Sequence, residues 1–227
     1  MLMSVSEWSI PIRRGGVETT VGEYSISVVG PGPRAQRHWA WARKRGMKTL
    51  AKIQAGNTWE LSSVPYIPAV ANVARHAANL QAARVDGLML GWTLGGYPSP
   101  NLEVATRIGT EIHAPPSPGE APSDSEAATA ALAQTALETV AKRRFGERLA
   151  PIVVRAWREC STAFSEFPYH GGLVYSAPLQ VGPANLLWAE PTGYAASMVG
   201  FPYDDLEAWR AVYPPEVFIA QLEKVAD

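Results

Sequence analysis

The chain has 227 residues, 47% of them hydrophobic and 18% charged, with 20 basic against 21 acidic side chains. That balance excludes a broad electrostatic binder of nucleic acid or anionic membrane, which needs a surplus of Lys and Arg to attract phosphate. The single Cys160 excludes an internal disulfide framework.

In chain order, Val5 to Ile12 and Val21 to Val29 read as two extended segments, the second alternating Glu23, Ser25 and Ser27 with Tyr24, Ile26 and Val28 before the turn Gly30-Pro31-Gly32-Pro33. A helix is expected from Arg34 to Arg45. Pro33 suits its first turn, three cations end it where the helix dipole favours them, and Gly46 closes it. The short apolar run Met47 to Gln54 predicts a buried strand, and Ala55 to Pro68 a loop. Ala69 to Ala83 predicts a second helix with Val70, Val73, Ala74, Ala77 and Leu80 on one face. Another buried strand is expected at Leu88 to Trp92, followed by a helix carrying Glu103 in its first turn and ending at Glu111. About four strands alternating with helices is the grammar of a parallel sheet, whose ligands sit beyond the carboxyl ends of the strands.

Residues 114–125 are rich in Pro and polar side chains and read as a linker. Ser123 and Glu126 have capping-box spacing and open a helix to Arg144 that stops at Gly146. A second helix, Glu147 to Phe167, carries Leu149, Ile152, Val153, Ala156, Trp157, Cys160, Ala163, Phe164 and Phe167 at helical spacing, predicting a core stripe. A last helix is expected from Pro214 to Val225.

No phosphate-loop, dinucleotide, nucleophile-elbow or zinc-protease motif is present, and the four histidines stand alone in sequence, so no metal or cofactor is expected. The basic stretch Arg34 to Lys52 reads as a solvated helix face, with no nucleic-acid module around it. No apolar run approaches the ~18–20 residues of a bilayer span, and the first fourteen residues lack a secretion signal, so no membrane association and a cytoplasmic setting are expected. Carboxylates are the better lead, because acid/base chemistry on a sugar needs a pair of them. Glu7 in Ser6-Glu7-Trp8, Glu23 in Gly22-Glu23-Tyr24 and Glu60 in Asn57-Thr58-Trp59-Glu60 each lie beside an aromatic ring, and a carboxyl against Trp is one route to a raised pKa. Each also fits a loop carboxylate satisfied by neighbouring amides. The segment Gly91 to Leu102 packs Trp, Tyr, two Gly and two Pro into one turn. It serves equally as the floor of a sugar subsite or as a rigid loop whose Asn101 caps the next helix.

Together, Ser6-Glu7-Trp8, Val21 to Ser27, Lys52-Ile53-Gln54 with Asn57 to Ser62, and Gly91 to Asn101 resemble the carboxyl half of a bacterial glycoside-hydrolase-like TIM barrel. Phe145-Gly146, Ala156-Trp157, Phe164 to Pro168 and Gly182 to Leu186 resemble the helical appendage that follows the barrel in β-hexosaminidase-like and α-glucuronidase-like enzymes. The resemblance implies a carbohydrate-active class and no particular sugar. It also implies earlier barrel strands upstream, so that a second copy or a missing amino-terminal half would cover the open sheet edges.

The expected architecture is therefore α/β: a partial (β/α)-barrel-like parallel sheet over residues 1–113, the linker 114–125, and a helical pair with an aromatic-rich region over 126–227. The expected function is a glycoside hydrolase with Glu7 and Glu60 as its carboxylates, and with Gln54, Asn57, Trp59, Trp92, Tyr97 and Asn101 binding the carbohydrate. The alternative is a non-catalytic carbohydrate-binding or protein-interaction module that uses Tyr203, Asp204, Asp205, Trp209 and Tyr213.

Overall fold

The computed structural model describes residues 1–56, 60–61, 64–91, 97–110, 126–176, 189–195 and 204–227. Among them the fold is mixed α/β, with a small parallel sheet, an antiparallel hairpin and seven helices, and its carboxyl-terminal region is mostly helical. Three strands, β1 (Leu2–Val5), β4 (Thr49–Lys52) and β5 (Gly87–Met89), lie side by side in that order. Both pairings are parallel, with Val5 opposite Lys52 and Lys52 opposite Met89. The ladder runs on past β1, where the Ser6 N–H donates to the Lys52 carbonyl at 3.0 Å.

The hairpin was not foreseen. β2 (Pro11–Arg14) and β3 (Val17–Thr20) pair antiparallel around Gly15 and Gly16, whose φ values of +53° and +86° are the positive pair that a two-residue hairpin turn demands. The extended segment expected at Val5 to Ile12 is thus the end of β1, a turn and the start of β2. Val21 to Val29 is not a strand, so the parallel sheet has three members and not four. Val21, Tyr24, Ile26 and Val28 are nevertheless buried. Side chains satisfy the backbone there in place of a ladder: Glu60 accepts from the Ile26 N–H, Tyr169 Oη from the Glu23 N–H, and Asn72 Nδ2 donates to the Ile26 carbonyl.

The helices follow the predicted pattern with edges moved by one to three residues. α1 (Pro33–Arg43) buries Trp39 completely, and its indole N–H donates to the Leu50 carbonyl at 3.0 Å, tying helix to sheet. Burial of a ring that size contributes about 3 kcal/mol. α2 (Val70–Ala82) buries Val70, Val73, Ala74, Ala77 and Leu80 as expected, together with His76. α3 (Pro100–Thr110) begins one residue before Asn101, and its cap is Ser99, whose hydroxyl accepts from the Leu102 N–H. Asn101 is therefore not the cap.

α4 (Glu126–Phe164) is two arms broken at Gly146, where φ is +78°. The expected linker and Ser123 lie outside the described residues. In the second arm the buried residues are Ala150, Val154, Trp157, Ser161 and Phe164, while Leu149, Ile152, Ala156 and Cys160 are exposed. The expected stripe is corrected by about a third of a turn, because α4 packs its small and hydroxyl residues against α2. Ser161 Oγ accepts from the Ala71 N–H at 3.0 Å, and Asn72 donates to the Ser161 carbonyl at 3.2 Å. One continuous core joins the sheet region to the carboxyl-terminal helices, from Ile12 through Trp157 to Phe218. Two short helices, α5 (Gly171–Ser176) and α6 (Leu206–Arg210), lead to α7 (Pro215–Ala226). Among the described residues no helix is long and apolar enough to cross a membrane.

Candidate active site

Two neighbouring parallel strands, β1 and β4, each deliver a polar residue just beyond the carboxyl end. Because Val5 and Lys52 are in register, Glu7 and Gln54, each two residues farther on, occupy equivalent positions on neighbouring strands. Both are buried, Glu7 at 1% exposure, and both line a small space with Ser25, Asn72 and His76. Its volume of about 10 Å³ is room for one water and not for a sugar ring.

The Glu7 carboxyl accepts from its own backbone N–H and from that of Gln54, and Ser6 Oγ donates to its Oε2 at 3.2 Å. Burial outweighs these contacts and, helped by the charge of Glu60, raises its pKa from 4.5 to about 8. Glu7 is mostly protonated at neutral pH. His76 reaches the same point from α2, with Nε2 2.6 Å from Ser6 Oγ and Nδ1 3.9 Å from Glu7 Oε1. Burial lowers the His76 pKa from 6.5 to about 3, so the ring is neutral.

Glu60 is fully buried, and its contacts are those of an acceptor. The Ser25 hydroxyl donates to Oε1, and the Ile26 N–H donates to Oε2 at 2.9 Å. Ser25 is in turn 2.6 Å from Ser27 Oγ. Tyr24 and Tyr169 close the surroundings, and burial, with the carboxylates beside them, raises both phenol pKa values. Lys52 is buried with its ammonium 4.7 Å from the Tyr24 ring centre, and desolvation lowers its pKa while Glu23 opposes the shift.

Of the residues expected to act, the structure brings Glu7, Glu60 and Gln54 into one buried polar region. Asn57, Trp59 and Trp92 lie outside the described residues. Tyr97 is half exposed and stacks on Tyr66, with ring centres 5.8 Å apart and planes 5° apart, presenting an aromatic face. Asn101 is fully buried and donates to the Ile67 carbonyl at 2.7 Å, which places it as a tie between α3 and the loop before α2. Glu23 lies half-buried and takes a hydrogen bond from Tyr175.

The residues offered for the interaction module are used internally. Asp204 accepts from Thr192 and Gly193, Asp205 caps α6, and buried Tyr213 donates to the Tyr169 carbonyl. Tyr203 lies outside the described residues. Sequence reasoning missed Ser6 and His76. The available signal was His76 itself, an ionisable side chain three residues after Val73 and four before Leu80 on an otherwise apolar face. No group of three or more His, Cys, Asp or Glu able to hold a metal occurs among the described residues.

The fold and the site together define an α/β protein with a buried carboxyl, Glu7, beyond the carboxyl end of a parallel strand and a second buried carboxyl, Glu60, in the same polar region. No family model matches the chain, and no curated protein or solved structure matches it significantly.

Proposed function

We propose that this chain is a glycoside-hydrolase-type carbohydrate-active protein on a partial (β/α)-barrel-like sheet, with Glu7 as proton donor and Glu60 as the second carboxyl. The observation that carries the reading is Glu7, a fully buried carboxyl beyond a parallel strand, with burial raising its pKa to about 8, in the same polar region as a second buried carboxyl. A general acid for glycosidic oxygen needs such a raised pKa, and a partner carboxylate needs the opposite environment. Glu60, as buried as Glu7, accepts from the Ser25 hydroxyl and the Ile26 N–H, the kind of donors that role would use. Gln54 offers a side chain at the same edge, and the stacked Tyr66 and Tyr97 offer a face for a sugar ring. Because the space beside Glu7 is water-sized, the substrate must open the site, and closure around it would exclude bulk water.

A panel of aryl-glycosides tests the assignment. Wild-type protein should hydrolyse at least one member, and Glu7→Gln should lose about 10²–10⁴-fold in rate, the usual contribution of a general acid, with its circular dichroism unchanged. Equal turnover by wild type and Glu7→Gln would overturn it. Quenching of Trp fluorescence by oligosaccharides without any turnover would favour the non-catalytic binding reading.

A further inference from the structure

The side-chain contacts around Glu7 are asymmetric. Oε2 takes the Ser6 hydroxyl at 3.2 Å, whereas Oε1 faces His76 Nδ1 at 3.9 Å, beyond hydrogen-bond reach. The His76 ring makes its close contact through the other nitrogen, Nε2, 2.6 Å from Ser6 Oγ. A proton on Nδ1 would face no protein acceptor within reach, with Glu7 Oε1 3.9 Å away and only the water-sized space beside it. A proton on Nε2 has Ser6 Oγ to receive it. The Ser6 hydroxyl has one hydrogen, and with one of its two lone pairs taken by Nε2–H that hydrogen turns to Glu7. Ser6, Glu7 and His76 are all buried, so bulk water does not compete for these bonds, and the space beside Glu7 and His76 has room for one water at most.

We propose that His76 and Ser6 form a one-way donor chain, Nε2–H to Oγ and Oγ–H to Oε2, which assigns the transferable proton of Glu7 to Oε1. Both are positioning residues, and their role rests on the reading of Glu7 as the proton donor. In the step they serve, the Oε1–H bond breaks, the proton passes to the glycosidic oxygen and the electron pair stays on Glu7. The Ser6 and His76 protons do not move, and the Ser6 hydroxyl already points at the carboxylate that forms. Gly30 makes room for this arrangement, since a Cβ there would lie 2.5 Å from His76 Nε2. The titratable groups around Glu7 are His76, Glu60, Tyr24 and Tyr169, and Arg14 acts on Glu60. None of these except His76 contacts Ser6 Oγ.

The test is NMR of the full chain labelled with ¹⁵N-histidine and δ-¹³C-glutamate, in wild type and in Ser6→Ala, His76→Leu and His76→Gln. His76 should show the neutral Nε2–H form between pH 4.5 and 8. Losing the donor to Oε2 should raise the Glu7 midpoint by about 1 pH unit in Ser6→Ala, the size expected of a hydrogen bond to a charged group, and His76→Leu, which keeps that donor but not the group that orients it, should raise it by less. His76→Gln, whose amide N–H can replace Nε2–H, should restore it towards the wild-type value. A neutral Nδ1–H form in wild type, or an unmoved Glu7 midpoint in a folded Ser6→Ala, would overturn the proposal. If the variants do not fold, the wild-type tautomer alone decides. Absence of glycoside turnover, with the Nε2–H form and the displaced midpoint both found, would sink the catalytic reading of Glu7 and leave the donor chain standing.

Discussion

Replacing Glu7 with Gln should change the shape of the stability curve against pH and not only its height. The Glu7 carboxyl titrates near 4.5 when unfolded and near 8 when folded. The folded chain therefore holds a proton that the unfolded chain releases, and the resulting stability is fully present below pH 4.5 and lost as pH rises to 8. At 1.36 kcal/mol per pH unit the 4.5-to-8 interval amounts to about 5 kcal/mol. His76 works in the opposite sense, titrating near 6.5 unfolded and near 3 folded. Its neutral folded form contributes stability above pH 6.5 that is lost as pH falls to 3, also about 5 kcal/mol. Between pH 4.5 and 6.5 the two slopes cancel. The pair thus contributes a plateau there, a fall of about 2 kcal/mol from pH 6.5 to 8 and a similar fall from 4.5 to 3. Glu7→Gln removes the alkaline fall, so relative to wild type the variant should gain several kcal/mol on going from pH 4.5 to 8. Urea denaturation of both proteins at half-unit pH steps measures that difference, with contributions from other groups cancelling. A difference that stays constant within about 1 kcal/mol over this range would refute the burial argument for Glu7.

Two further substitutions probe how the site is held. Ser161→Ala removes the hydroxyl partner of the part-buried Ala71 N–H where α4 meets α2, and should cost about 1 kcal/mol as a lower denaturation midpoint with an unchanged slope. Gly30→Ala should also cost about 1–3 kcal/mol and displace the His76 ring in its NMR spectrum, because the new Cβ meets Nε2 at 2.5 Å and the Ser6 carbonyl at 3.2 Å. Gly22→Ala, with nothing within 4 Å of its Cβ, should be nearly neutral and serves as the control.

The regular elements were legible where one periodic face met one partner. α2 reads from its apolar spacing, α1 from Pro33 and its terminal cations, and β4 from its short bounded run. The stripe of α4 was misplaced because its partner, α2, meets it through Ser161 and Asn72, and periodicity in hydrophobicity does not register a hydroxyl that packs as core. Val21 to Val29 failed for a related reason. Its alternation is that of a strand, yet Glu60, Asn72 and Tyr169, from 34 to 146 residues away along the chain, take the hydrogen bonds a neighbouring strand would have taken.

What the sequence by itself determined is the inventory: an α/β chain, helices with readable ends, and few carboxylates, of which Glu7 and Glu60 stood beside aromatic rings. Tertiary structure alone decided that these two are completely buried, that Gln54 shares the edge of Glu7 through strand register, and that Asn101 serves as a tie between segments. It also decided the partnership of Ser6 with His76, 70 residues later. The physical reason is that a carboxyl's proton affinity depends on the water removed from it and the donors aimed at it. Both are set by segments distant in the chain that the fold brings together.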